Sequence, residues 1–448
     1  MATLNLQQEI PLDDSWDVVV LGGGPAGSAA AIAAAREGAR TLLAEATGCL
    51  GGMATAGLLA AWCPFSDGEK IIYRGIAEKV FTASKAGIPH VRPDALDWVR
   101  LDPEALKRIW DDMVTASGAS VLFHTRCCAV QTDGRGTVTA VLLANKAGLT
   151  AVRAKTYVDC TGDGDVCAWA GAQFEMGAEG TGELQPCTHC FMISNVDEYA
   201  LNYGLAQPFG NHHESPIFKM RDSGRYPLVR DYHFITLLVG PATVCHNTGH
   251  LWITDPTDPQ HLSKAMMHGR KLVKQLYDGM KKFSPAAYAN AYLAASGELM
   301  GVRESRRIIG DYVLTLDDYL ARRSFDDEIA RNSYPIDIHN TPDEADDFRA
   351  GKKGAMERFE NYKKGESHGI PFRSLIPKGL HNVLVAGRCI STDRSVQGST
   401  RIMPCCMAVG EAAGMAAAMA DDGLVRSVDP GKLRGKLREN GAYLPNSK

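Results

Sequence analysis

Asp17-Val-Val-Val-Leu-Gly-Gly-Gly-Pro-Ala-Gly27, continued to Leu42-Leu-Ala-Glu45, decides the fold. Val18 to Leu21 form a short apolar run of the kind that makes a buried parallel strand. Gly22, Gly24 and Gly27 then give G-x-G-x-x-G. Gly22 permits a tight turn, Gly24 lets the backbone approach a pyrophosphate, and Gly27 lets the following helix pack on the strand. Ser28 to Glu37 is nearly all alanine, a strong helix former, and Gly38 ends the helix. A second strand, Thr41 to Ala44, delivers Glu45 about 20 residues after the glycines, where an acid accepts ribose hydroxyls. The helix N-terminus, with roughly half a positive charge, would face the pyrophosphate. A plain βαβ turn needs one glycine, not three.

The rest of the composition fits a soluble globular enzyme. With 448 residues the chain has room for two domains, or for one domain with a large insertion. Apolar residues make up 45% and charged residues 22%, and the net charge is −4. That balance argues against a nucleic-acid surface or a polybasic membrane anchor. Residues 1–16 carry acids but no Lys or Arg, unlike a secretory signal or a transit peptide. The alanine-rich stretches at 28–37 and 404–420 are too short or too interrupted to span a bilayer. The expectation is a cytoplasmic protein with no membrane and no nucleic-acid partner. The 12 cysteines are scattered and do not have the spacing of a secreted disulfide scaffold.

Further motifs follow in order. Thr47-Gly-Cys-Leu-Gly-Gly-Met-Ala-Thr-Ala-Gly57 is rich in small residues and suits a backbone lying flat on a planar ligand. Residues 69–85 and 102–116 read as helices, the second with Asp102 as N-cap and Pro103 in the first turn. A strand at 119–124 is followed by a hairpin, 127–133 and 137–144, turning at Asp133-Gly-Arg-Gly136. Lys155 to Asp159 is a strand that runs into Cys160-Thr-Gly-Asp-Gly-Asp165, before a helix at 165–171. From 172 to 380 the βαβ rhythm is lost, and this stretch reads as an inserted substrate or cap domain. It contains helices at 260–282 and 284–300, a strand or strand pair over 303–315, and a solvated excursion at 341–366. Asn382 to Ala386 is an apolar strand that returns the chain to the nucleotide domain. A glycine-rich loop follows, then an alanine-rich helix from about residue 403. The resulting division is 1–171, 172–380 and 381–448.

Taken together, these motifs resemble a known family. Gly48-Cys-Leu-Gly-Gly-Met-Ala-Thr55, Asp159-Cys-Thr-Gly-Asp-Gly-Asp165, Arg303-Glu-Ser-Arg-Arg307, Gly387-Arg-Cys-Ile-Ser391 and Gly398-Ser-Thr-Arg-Ile-Met403 are similar to those of the FAD-dependent oxidoreductases. These have a glutathione-reductase-like FAD fold related to the fumarate reductase flavoprotein branch. The resemblance implies an α/β fold: a Rossmann-like FAD-binding domain in three ββα layers with an inserted α+β domain. It implies FAD as cofactor. Gly22, Gly24, Ala26 and Gly27 would hold the pyrophosphate, and Glu45 with Ala46 the adenosine ribose. Gly51, Gly52, Met53 and Thr55 would line the flavin. Ala129 would meet the adenine through its backbone, and Thr161, Gly162 and Asp163 would close the diphosphate side. Gly387 and Arg388 would meet the ribityl chain. Gly398, Arg401, Ile402 and Met403 would open the last helix toward the flavin pyrimidine edge, where a helix N-terminus stabilises negative charge.

Three features stay open at this level. Cys187-Thr-His-Cys190 has the spacing of half a zinc site or a redox pair, but no second CxxC supplies further ligands, so no metal is assigned and ordinary packing remains an alternative. His189 is either an acid–base group or a structural histidine. In extended geometry Arg303, Ser305 and Arg307 would share one face, and Glu304 and Arg306 the other. One face would then offer arginine to an anionic or carbonyl-bearing substrate, unless the strand is simply a charged surface. The catalytic candidates are His189, Arg303 and Arg401. The expected activity is hydride transfer between a small-molecule substrate and flavin N5, with an unidentified electron acceptor or donor and with homo-oligomerisation left open. Ene reduction of the fumarate-reductase kind is an alternative, as is an electron-transfer subunit without its own substrate, although no ferredoxin-like cysteine run is present.

Overall fold

In the computed structural model, residues 7–88, 91–203, 215–339 and 359–445 are described. Val18–Leu21 (β1), Pro25–Arg36 (α1) and Thr41–Ala44 (β2) form the opening βαβ unit. Pro103–Ser117 (α2) leads to Ser120–Leu122 (β3). The Asp102 carboxylate accepts a hydrogen bond from the Glu104 N–H at 2.9 Å, and Gly118 closes α2 at φ +88°. Arg126–Thr132 (β4), Val138–Asn145 (β5) and Gly148–Val152 (β6) are an antiparallel meander. Thr156–Asp159 (β7) then returns to the parallel sheet.

Phe174–Met176 (β8) and Phe191–Ser194 (β9) lead into the next unit. It continues with Phe234–Gly240 (β10), Thr243–Thr248 (β11), Pro259–Phe283 (α3) and Tyr292–Ser296 (β12). Arg306–Ile308 (β13) pairs with β8. Val383–Val385 (β14), Arg394–Thr400 (α4) and Met403–Met419 (α5) close the fold.

The parallel sheet runs β14-β7-β1-β2-β3. Side chains alternate across it. Val18 and Val20 join the core under the helices, while Val19 and Leu21 join the apolar cluster shared with the meander. The result is the expected three-layer ββα stack. α1 and α5 cross closely because both are built from small residues: a Cβ on Gly410 or Gly414 would land on the carbonyl of Ala26 or Ala30. Among the described residues, no single helix is long and apolar enough to cross a membrane.

The second sheet runs β10-β11-β9-β12, and α3 packs against it in a separate apolar cluster. That cluster draws on residues 187–300, whereas Leu314, Tyr334, Ile336 and Phe372 pack into the first core. The boundary expected at 380 is therefore too late: after about residue 302 the chain already belongs to the nucleotide-binding core.

Other expectations are also corrected. Residues 284–300 hold one helical turn, Pro285–Tyr288, and then β12. Pairing of β12 with β9 overrides the helix propensity of its alanines. The helix expected at 69–85 starts only at Ile76, after Gly75 at φ +69°. Within 303–315 only Arg306–Ile308 is a regular strand. Gln397 to Thr400 lies within helix α4, capped by the Asp393 carboxylate, rather than in a loop. Most of the excursion expected at 341–366 lies outside the described residues.

Candidate active site

The glycine loop is shaped by close contacts. Gly22 turns at φ +96°, and a Cβ there would come within 2.5 Å of the Cys160 carbonyl. A Cβ on Gly27 would fall on the Gly22 carbonyl oxygen, while one on Gly24 would meet no atom within 4 Å. Gly22 and Gly27 are thus explained by packing, and Gly24 is not. Gly24 caps α1 without a side-chain hydrogen bond, which leaves the first-turn N–H groups turned toward open space. This cradle fits a pyrophosphate, and Ala26 lies in its first turn. A second uncapped N-terminus, at Ile402 and Met403, opens α5.

Glu45 is buried, and its carboxylate accepts from Gly23 N at 2.6 Å and Thr47 N at 2.7 Å. It therefore shapes the loop itself, as well as being placed at the end of β2. Ala46 beside it is exposed, and Ala129 is half-buried in β4. Gly51 and Gly52 turn with positive φ; Gly52 lies against Gly24, and Gly51 against Thr55 and Trp110. The Thr55 hydroxyl donates to Leu50 O at 2.6 Å and so fixes this loop. Met53 and Gly57 reach the inserted unit, where Glu298 N donates to Ala56 O at 2.8 Å.

On the other side, Asp159 is buried and accepts from Thr161 N and Cys167 N, which holds the Cys160–Asp165 loop. Arg388 packs on Gly162 and donates to Asp163 at 2.7 Å; the Ser305 hydroxyl donates to the same oxygen at 2.6 Å. Gly387 faces Ala26, and Gly398 packs against Ile338 and Asp337.

A cluster of polar side chains that the sequence analysis did not assemble, here termed the polar pocket, lies where the inserted sheet, the 303–339 segment and the start of α5 meet. It gathers Asp231, His233, His250, Trp252, Arg303, Asp337, His339 and Arg401. His250 Nδ1 pairs with Asp231. His339 lies 3.4 Å from Asp337, which also accepts from Arg401 Nη2 at 3.2 Å. Arg303 Nη1 donates to Pro186 O at 2.6 Å, and Gln397 Nε2 donates to Arg303 O at 2.8 Å. Burial dominates the electrostatics. It pushes His339 down to about 3, with the Arg303 charge adding to the effect, and it pushes His233 well below the usual histidine range. His250 is also lowered by burial, against the pull of Asp231. Burial and the neighbouring Arg401 bring Arg303 down to about 10. Burial opposes the charge on Asp337, yet His339, Arg401 and Arg303 hold its carboxyl well below the ordinary range.

The three imidazoles place ring nitrogens within 4.8 Å of one another. His233 and His250, however, stack at 4.2 Å with planes 14° apart. A metal ion lies near the plane of each imidazole that binds it, and two stacked planes share no such point. A dication would also sit beside two arginines.

The other candidates fall elsewhere. His189 is buried, its Nε2 lies 2.8 Å from Gly297 O, and its ring packs where Gly269 of α3 lacks a side chain. Burial lowers its pKa. This placement is that of a packed structural histidine, not of one turned into the pocket. Cys187 and Cys190 are buried, and burial pushes both thiols up to about 12, so neither is a ready thiolate. The expected two-face arrangement of 303–307 is replaced by a different pairing. Glu304 binds Arg307 at 2.8 Å and Arg394 at 3.0 Å, and Arg306 binds Asp165 at 2.7 Å. Arg303 alone of the three turns to the pocket. One sequence signal was available: Asp231-Tyr-His233 and Asp337-Ile-His339 repeat Asp-x-His.

Comparison with known proteins agrees with the nucleotide cradle. Residues 17–437 match the family described as FAD dependent oxidoreductase. No curated protein matches the sequence. Among solved structures, a geranylgeranyl bacteriochlorophyll reductase-like protein from Thermoplasma acidophilum is similar at 14% identity. The likeness covers 96% of this chain and 83% of that one, with a TM-score of 0.45. The flavin-dependent brominase Bmp2 is similar at 15% identity, covering 95% and 83%, with a TM-score of 0.45. The myxobacterial chondrochloren halogenase CndH is similar at 13% identity, covering 96% and 79%, with a TM-score of 0.47.

Proposed function

This chain belongs to the FAD dependent oxidoreductase family, and on that premise we propose that it transfers a hydride between a small-molecule substrate and flavin N5. When bound, FAD supplies a two-electron centre that accepts or returns a hydride. The residues that would hold it are the α1 cradle at Gly22, Gly24, Ala26 and Gly27, with Glu45, the Gly51–Thr55 loop, Thr161 to Asp163, Gly387 and Arg388, and the opening of α5.

The observation that carries the reading is the largely buried cluster of polar side chains beside these elements. It holds two arginines and a histidine bonded to an aspartate, groups suited to orienting a polar substrate and moving its proton. Arg401 is tied to Asp337 and positions the pocket wall, whereas Arg303, bonded through Nη1 to the neutral Pro186 carbonyl, has no carboxylate hydrogen-bonded to it among the described residues and keeps the rest of its guanidinium for a substrate. A protein that only passes electrons to a partner has no need of such a pocket. Ene reduction is the second reading, favoured by one fact: burial brings Arg303 down to about 10, the direction required of a proton-donating arginine.

Anaerobic exposure of the yellow holoprotein to a panel of hydroxy compounds tests the proposal. Bleaching by one of them supports oxidation. Reoxidation of the reduced protein by an unsaturated acid instead supports ene reduction. If neither occurs and only a protein partner exchanges electrons, the proposal fails.

A further inference from the structure

The pocket has a chemical bias that narrows its ligand, given the reading above. Trp252 Nε1 and Arg401 Nε are buried donors without an acceptor. Arg303 is 8% exposed, and its guanidinium has one hydrogen bond among the described residues, to the neutral carbonyl of Pro186. With its Nδ1 on Asp231, His250 presents a bare, buried Nε2, and neither ring nitrogen of His233 has a partner. A buried donor without an acceptor carries the full cost of its lost hydration, so this lining favours whatever supplies acceptors. The fixed charges balance: Arg303 and Arg401 against Asp231 and Asp337, with the histidines neutral. An arriving anion breaks that balance unless a proton comes with it, and the His250 Nε2, backed by Asp231, is the basic site placed to take one.

We propose that the pocket binds a carboxylate of its substrate on Arg303 and that a proton is taken up on His250 as the carboxylate enters. The charged and titratable groups facing His250 are Asp231 on its Nδ1 side, His233 stacked on its ring, His339 edge-on, Arg303 and, farther off, Asp337. Only His250 has a carboxylate in direct contact with one ring nitrogen and a bare nitrogen on the other side; His233 has no carboxylate partner, and His339 lies 3.4 Å from an Asp337 that also accepts from Arg401. The proton therefore goes to His250. A bound carboxylate raises the His250 pKa from its depressed value, so binding must strengthen as pH falls.

The test titrates FAD-loaded protein calorimetrically with malonate and with acetate, in two buffers of unlike ionisation enthalpy, between about pH 6 and about pH 8. The expected result is uptake of close to one proton per anion, with affinity rising by up to about tenfold for each unit of falling pH. Arg303→Gln should bind at least about tenfold more weakly, and Asp231→Asn should bind with much less proton uptake. The wild-type proton count needs no variant and stands even if either variant fails to fold. Binding without proton uptake, equal binding by Arg303→Gln, or no binding of either anion overturns the inference. If malonate binds as described but no compound ever reduces the flavin, the hydride-transfer proposal fails and this one survives. If an uncharged substrate reduces the flavin and malonate does not compete, the reverse holds.

Discussion

The glycine loop and the polar pocket are built in opposite ways. The loop comes from one continuous stretch, 22–57, in which Gly22 and Gly27 serve packing and Gly24 leaves open space. The pocket takes Asp231, His250, Arg303, Asp337 and Arg401 from five separated places. The difference shows where each kind of site tolerates change: the loop through backbone space, the pocket through charge balance.

The largest effect that would sharpen this contrast lies within the loop. Gly27→Val puts a side chain on the Gly22 carbonyl, and it should leave no stable FAD-loaded protein, a loss beyond about 4 kcal/mol. Gly24→Ala meets nothing within 4 Å, so its apo form should melt like the wild type while FAD binding weakens at least about tenfold. Equal melting of the two variants would break the distinction between packing glycine and ligand glycine.

Glu45→Ala is next. It removes an ionised acceptor from two backbone N–H groups, each bond being worth roughly 1.5–3 kcal/mol. Both melting temperature and FAD retention should fall. Unchanged values after extensive dialysis would show that Glu45 serves neither loop nor ribose.

Glu411 tests charge balance away from the pocket. Burial raises its carboxyl from 4.5 to about 7, against a hydrogen bond from Ile76 N. Between those values the folded protein binds more protons than the unfolded chain, so stability should decline as pH rises through this window. Asp165, raised by burial to about 6, adds a slope of the same sign. Melting curves across that range should show Glu411→Gln declining less than wild type, and an identical decline would contradict the assignment.

The smallest effect belongs to Arg306→Lys. It exchanges a planar guanidinium, whose Nη1 donates to both Asp165 and the Asp163 carbonyl, for a point charge. A stability cost of about 1 kcal/mol is expected with no change in the flavin spectrum, and an altered spectrum would move Arg306 into the site.

Much of the loop was legible from sequence because glycine spacing, strand hydrophobicity and Glu45 act within one βαβ unit. α2, the hairpin and α5 were legible for the same reason, since caps and periodicity are local. The pocket was not. Nothing near His250 in sequence indicates that Arg303 lies beside it, and neutral buried histidines look like any others. His189 drew attention through its two cysteine neighbours, but the missing side chain at Gly269, a long-range packing fact, turns it into structure. β12 was misread because its alanines favour helix and only pairing with β9 decides otherwise.

The central claim is that a substrate held by Arg303 reduces the flavin. Its most direct test is the anaerobic rate of flavin bleaching by an identified substrate, compared between wild type and Arg303→Lys. The variant should keep the FAD spectrum and bleach at least about tenfold more slowly, a loss of roughly 1.4 kcal/mol of transition-state stabilisation. Bleaching at the wild-type rate would contradict it and leave Arg303 as a structural residue.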